Sequence, residues 1–309
     1  MLKSIIRVLL NRNVILIMAV VLGLFAGEGA RLIKPYTTYV LMVTMLFSMT
    51  GMATRSFFPL KSTVKPMLTG TLLNYLFFGT VVITLAWLLM PNRELFLGFV
   101  VIAVAPPGVA IVPFSGILKG DLNYSIVGVT GAFLASVFIT PLIIGIFNGG
   151  STSVSPFGLM WMMVKLVVIP LLLSRLLIHR SVLGIVQRIR GKVVDFGFAT
   201  IIFTAIGMNR SLFFQNQEVL LLSSVVLIAA TFGIGSLFQF LMRRRNRRES
   251  LLVPQTLLLT VKSSGFSVIT AFSLFGEQAA IPSAVFAIIV LLYLLFLTSK
   301  KQITKLVRN

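Results

Sequence analysis

Ten stretches of about 20 mostly apolar residues follow one another along the 309-residue chain, more than a soluble fold of this length can bury. They run over about 13–32, 37–54, 66–90, 94–118, 123–148, 157–178, 193–209, 218–243, 251–275 and 279–299. A helix of that length spans the hydrocarbon layer of a bilayer. The runs are continuous rather than alternating, which argues against a barrel of strands. Hydrophobic residues make up 57% of the chain and charged residues 11%, too little charge to coat a water-facing surface. The predicted fold is an all-α integral membrane protein of about ten transmembrane helices, with residues 1–309 forming one transmembrane unit.

The placement of charge supports that count. Lys and Arg collect in cytoplasmic loops of membrane proteins. The N-terminus and every second loop after it hold 21 of the 27 basic residues, among them Arg12, Arg55, Lys119, Arg188, the Arg243–Arg248 run and Lys300. The opposite side holds four, Arg31, Lys34, Arg93 and Arg210. This split predicts a multi-pass protein of the cell membrane with both termini cytoplasmic. It also accounts for the formal net charge of +20 without nucleic acid, because a short loop between two spans cannot wrap a duplex. Trp87 and Trp161 fall near the outer ends of their spans, where indole rings favour the interface. Lys3, Arg7 and Arg12 ahead of an apolar run resemble a secretory leader, but the run is long for one and is read as the first span.

Several chemistries are excluded by what is missing. The chain has no Cys and one His, His179, so thiolate chemistry, Cys-ligated zinc, iron–sulfur clusters and paired-His metal sites are absent. No nucleotide-binding Gly-rich loop ending in Gly-Lys-Ser/Thr is present, so this chain does not itself couple to ATP. No cofactor and no metal are expected.

Two of the ten spans are interrupted. The fourth contains Ala105-Pro106-Pro107-Gly108 and then Pro113; prolines remove backbone donors and clash with the preceding turn. The ninth contains Lys262-Ser263-Ser264-Gly265, a polar patch within an apolar run. Each is the fourth member of a group of five spans. Five is odd, so two such groups in tandem point opposite ways across the bilayer. That is the arithmetic of an inverted repeat, here about 13–148 and 157–299. Interrupted segments at matching positions mark a substrate site near the midplane. Broken helices present N–H groups to an anion and carbonyl ends to a cation.

Lys262 is the most informative single residue. A charge near the bilayer centre costs ~2.5–3.5 kcal/mol on insertion scales, so its presence there implies a role. Its ammonium suits an anionic substrate, a carboxylate partner or the place of a coupling cation. Of the seven acidic residues, Asp195 near the start of the seventh span is the candidate partner. Candidate substrate-binding residues are Pro106, Pro107, Gly108, Ser115, Lys262, Ser263, Ser264, Gly265 and Ser267. Asn74, Thr270, Gln239 and Gln255 serve either as cavity lining or as interhelical hydrogen bonds.

The stretch from Ala105 to Asp121, APPGVAIVPFSGILKGD, resembles the signature of the bile acid:sodium symporter superfamily, which includes the arsenite-efflux permeases. There a Pro-containing break precedes a half-helix ending in Lys-Gly-Asp, here Lys119-Gly120-Asp121. The resemblance extends over about Met52 to Ser299. It implies two inverted five-helix repeats whose discontinuous helices 4 and 9 cross. It further implies a core domain of helices 3–5 and 8–10 and a panel domain of helices 1–2 and 6–7.

The departures bear on mechanism. Sodium-coupled members carry a Ser-Asn pair after the break, matched here by Ile111 and Val112, whose side chains offer no oxygen to Na⁺. Their ninth span carries a Glu and a Gln-Asn pair where this chain has Lys262, Ser263, Ser264 and Phe266. Arsenite permeases carry a Cys where Pro107 stands. The resemblance therefore implies transport without the sodium sites or arsenite chemistry. The resulting expectation is a secondary transporter of a small organic anion, with Lys262 as the coupling-ion substitute, either cycling a proton or working uncoupled. Two other classes compete. One is a non-transporting sensor or assembly subunit, which would tolerate loss of the inner polar site. The other is an intramembrane Ser–Lys hydrolase built on Lys262, Ser263 and Ser264, for which no second motif exists.

Overall fold

The computed structural model describes residues 10–51, 60–108, 110–148, 156–208, 210–215 and 217–308. All the named elements there are helices. We number them α1 (Arg12–Phe25), α2 (Glu28–Ile33), α3 (Thr37–Met49), α4 (residues 60–89), α5 (Arg93–Val104), α6 (Ile111–Ile117) and α7 (Leu122–Asn148). There follow α8 (residues 156–176), α9 (Arg180–Met208), α10 (Arg210–Gln215), α11 (residues 217–244), α12 (Glu249–Thr260), α13 (Ser264–Phe275) and α14 (Glu277–Arg308). Three of the long helices carry a widened π-helical stretch: Leu72–Phe77 in α4, Val164–Val168 in α8 and Ala229–Gly233 in α11.

Among the described residues, seven helical stretches are long and apolar enough to cross a bilayer: Glu28–Met49, Lys61–Leu89, Leu122–Asn148, Phe157–Leu176, Val182–Met208, Gln217–Arg244 and Glu277–Lys300. The surface they present is that of a protein solvated by lipid. Phe138, Leu142 and Ile146, successive turns along one stripe of α7, are 64–70% exposed. Trp87 and Trp161 are also exposed.

Several of the expected spans differ from the helices observed. The first, 13–32, is two helices, because the chain turns between Phe25 and Glu28. The seventh, 193–209, is the end of a 29-residue helix that begins at Arg180. Arg188, Arg190 and Lys192 stop the apolar run but are good helix formers, so the helix continues through them. The tenth, 279–299, likewise continues to Arg308. The fourth and ninth are each two short helices separated by an extended break. The end of the second, beyond residue 51, lies outside the described residues.

The packing falls into two sets of neighbours. In one, α9 is flanked by α1 and α3, and α3 packs on α8. The α1–α9 pair approaches closely where the chain leaves α1: a Cβ on Gly27 would stand 2.9 Å from Gly207 Cα. In the other set, α4 packs on α7 and α5, and α14 packs on α5, α11 and α13. The α6 and α12 helices lie against each other and against α7. Contacts between the sets run from α9 to α13 and α14, from α3 to α13, and from α8 to α7.

The Lys119-Gly120-Asp121 turn has a local structural role. Lys119 has φ +51° and closes α6, and its N–H donates to Gly116 O. Asp121 caps α7, its Oδ1 accepting from Tyr124 N at 2.9 Å. The Asp121 N–H donates to Ser250 O at 2.7 Å, tying this corner to the start of α12.

Candidate functional site

The two interrupted segments meet. At the break after α5 and the break after α12 the chains run antiparallel, with Pro107 opposite Lys262. Gly108 N donates to Val261 O, and Ser263 N donates to Pro106 O, both at 2.9 Å. These two bonds satisfy groups that prolines and helix ends would otherwise leave bare in a lipid environment. Glycine lets the two chains approach closely at position 108. A Cβ there would lie 2.9 Å from Val261 Cγ1 and 3.0 Å from Lys262 O.

Lys262 is 2% exposed, and its Nζ is fully engaged. It donates to Asn74 Oδ1 and Ala103 O at 2.8 Å and to Ala105 O at 2.9 Å. An ammonium has three protons, so this set uses all of them. The two carbonyls belong to the last turn and cap of α5, the negative end of its dipole. The Tyr75 and Phe78 rings stand over the amine at 4.3 Å and 5.6 Å. Asn74 Nδ2 in turn donates to Leu258 O near the end of α12, at 2.9 Å. Asn74 therefore ties α4 to the second broken helix, and Lys262 ties that helix to the first. Leu73, Asn74 and Tyr75 are consecutive and all buried, within the π-helical stretch of α4. Such stretches recur at functional sites.

A cavity of about 60 Å³ opens beside this crossing. Gly108, Val261, Ser263 and Ser264 line it from the breaks, Arg12 and Leu16 from α1, Phe114 from α6, and Phe198 and Ile202 from α9. Ser263 is 2% exposed, and its Oγ has no hydrogen-bond partner. A second pocket of about 230 Å³ lies between Lys34, Thr37, Ile201, Met208 and Phe272. A wider vestibule of about 820 Å³, with Glu28, Arg31, Arg210 and Glu277 on its walls, shares Lys34 and Met208 with that pocket. Lys34 Nζ rests 4.2 Å from the centre of the Phe272 ring.

The residues singled out in the sequence fall into separate places in the structure. Pro106, Pro107, Gly108, Lys262, Ser263 and Ser264 come together at the crossing. Gly265 faces α9, with Ile201 Cγ2 3.3 Å from where its Cβ would be. Ser115 and Ser267 do not line the cavity. Ser115 is fully buried and accepts from Ser125 Oγ at 2.6 Å, and Ser267 Oγ donates to Ser264 O at 2.9 Å. Asp195 does not meet Lys262: its Oδ1 is 3.3 Å from Arg12 Nε. Lys262 instead takes the Asn74 amide and two backbone carbonyls.

Arg12 is the residue the sequence concealed. Read by sign alone it is a topology anchor at the start of the first span. In space it borders the cavity, pairs with Asp195 and lies 5.7 Å from the Phe114 ring. Among the described residues, no three His, Asp or Glu side chains converge on a metal-sized space.

Comparison with known proteins gives two findings. Residues 38–216 match the family described as the Sodium Bile acid symporter family. The chain is also 25% identical over 226 residues to a protein of Bacillus subtilis (strain 168) named as an uncharacterized sodium-dependent transporter, YocS. That alignment covers 71% of this chain and 68% of the relative.

Proposed function

The chain belongs to the sodium bile acid symporter family, and from that membership we propose that it is a secondary transporter of a small organic anion in which the Lys262 ammonium takes the place of a coupling cation. The observation that carries this reading is the coordination of Nζ. Three oxygens surround it, two of them carbonyls at the C-terminal end of a broken helix. In transporters with discontinuous helices such ends suit a small cation. Here a covalently attached ammonium fills the place, while the relative's name says that it depends on sodium.

On this reading the chain comprises ten spans in two inverted repeats, with α5–α6 and α12–α13 as the crossing fourth and ninth members. Two pairs of features support the repeat. The breaks occupy matching positions, and π-helical stretches interrupt the third span of each half, α4 and α11. The set of α4–α7 and α11–α14 forms the core, and α1, α3, α8 and α9 form the panel that moves against it. The crossing cavity and the pocket beneath the vestibule both lie between these sets, bordered by α9 on one side and α13 on the other. The positive-inside bias supports a cell-membrane protein with both termini cytoplasmic.

The fully engaged amine favours the role of ion substitute over direct substrate contact, since no Lys262 proton is left for an anion. The test is flux of labelled carboxylates into vesicles containing the purified chain, in sodium, potassium and choline buffers of equal ionic strength. The expected result is equal flux in all three and loss of flux in Lys262→Ala. Strict dependence on sodium, or unchanged flux in the variant, overturns the proposal.

A further inference from the structure

The crossing cavity carries chemistry that the Lys262 network does not use. The α13 helix, 12 residues long, starts at its wall, and Ser263 at the N-cap makes no side-chain capping bond. The first N–H groups of a helix are free donors at the positive end of its dipole. Ser263 Oγ, buried and unpartnered, is a further polar group at the same wall. From the opposite side comes Arg12. A guanidinium has five donors, and Asp195 Oδ1 pairs with it at Nε, 3.3 Å away. Leu16, Phe114 and Ile202 make much of the remainder apolar.

We propose that this cavity is a carboxylate subsite and that Arg12 is its specificity-determining residue, giving the donors that Asp195 leaves free to the substrate's charged end. Ser263 Oγ and the first N–H groups of α13 bind the same carboxylate from the other side. The inference rests on the anion-transport reading and deepens it. A volume of about 60 Å³ holds roughly four to five water-sized groups. The class selected is therefore a short monocarboxylate with an apolar tail. Asp195 acts as the counter-ion that the substrate must rival, so the site stays charge-paired while empty.

The probes are acetate, propionate and butyrate, with propionamide and butyramide as neutral counterparts, titrated by calorimetry against the purified full chain. Wild type is expected to bind at least one of the carboxylates and neither amide. Arg12→Gln is expected to lose roughly 10- to 100-fold in carboxylate affinity, the size of a lost charge-assisted hydrogen bond. Arg12→Lys should recover part of the loss. Asp195→Asn should bind carboxylate as tightly as wild type or a few-fold more tightly, because it frees the guanidinium. A merely structural Arg12–Asp195 pair would make both variants weaken binding alike. That pattern, absence of carboxylate binding to wild type, equal binding of the amides, or undiminished affinity in Arg12→Gln each overturns the proposal. Should Arg12→Gln melt early, Asp195→Asn alone still decides, since weakened binding there is contrary to the expectation. Vesicle flux separates this inference from the transporter reading. Binding without any flux sinks transport and leaves the subsite. Flux that Lys262→Ala abolishes but Arg12→Gln leaves intact, with undiminished affinity, sinks the subsite and leaves transport.

Discussion

Replacing Lys262 by Ala should convert the protein into one that sodium stabilises. The wild-type amine holds Asn74 Oδ1, Ala103 O and Ala105 O at 2.8–2.9 Å. The substitution strands all three acceptors in a buried space. An unsatisfied buried polar group costs about 1–3 kcal/mol, so three cost roughly 6 kcal/mol at the middle of that range. Against this, a charge that costs ~2.5–3.5 kcal/mol to place near a bilayer centre is gone. The difference is a net loss of about 3 kcal/mol, before any cavity term is added. Three oxygens that surrounded one cation then surround a space that a sodium ion can enter. Sodium at 100 times its dissociation constant would return about 2.7 kcal/mol, nearly the whole deficit. The assay is thermal unfolding of the purified chain, followed by the fluorescence of its two Trp residues, in sodium and in N-methylglucamine at equal ionic strength. Wild type should melt at the same temperature in both. The variant should melt lower, by several degrees, and recover in sodium only. A variant as stable as wild type, or one that sodium does not rescue while wild type responds to it, would refute the argument from coordination.

Other perturbations follow from the same geometry. Gly108→Ala should lower stability by about 1–3 kcal/mol through overpacking against Val261 and the Lys262 carbonyl, measurable as a reduced melting midpoint. Asn74→Ala loses the bonds to Lys262 Nζ and Leu258 O, one of them charge-assisted, and should cost about 2–4 kcal/mol and slow flux in vesicles. Glu249→Gln removes only the exposed pair with Arg243 and should shift stability by less than about 1 kcal/mol, which makes it a control for the buried changes.

What the sequence made legible divides by range. Apolar length is a local property, so most spans can be read directly, and Pro106-Pro107-Gly108 announces its break through covalent constraint alone. Lys262 stands out because its charge is anomalous for its surroundings. Its partners do not, since Asn74 is 188 positions away and looks like any polar residue in a membrane helix. The π-helical stretches leave no compositional mark: Leu72–Phe77 reads as continuous helix. Ser115 and Ser267 are as polar as Ser263 and lie within a few residues of a break, and packing separates the satisfied hydroxyls from the orphaned one. Arg12 was hidden by its class, because basic residues at helix ends are explained by topology before any other role is sought.

An ammonium fastened to the backbone never leaves for either compartment. On the proposed reading, a carrier built around it has no mobile ion to spend, so each anion that crosses moves one uncompensated negative charge while Lys262 keeps its proton. A membrane potential of about 100 mV, negative inside, is worth ~2.3 kcal/mol per elementary charge, roughly a fifty-fold bias in concentration. Under that voltage the outward direction is favoured, and the tether at position 262 would make this chain a disposal route for cellular acids rather than a scavenger of scarce ones.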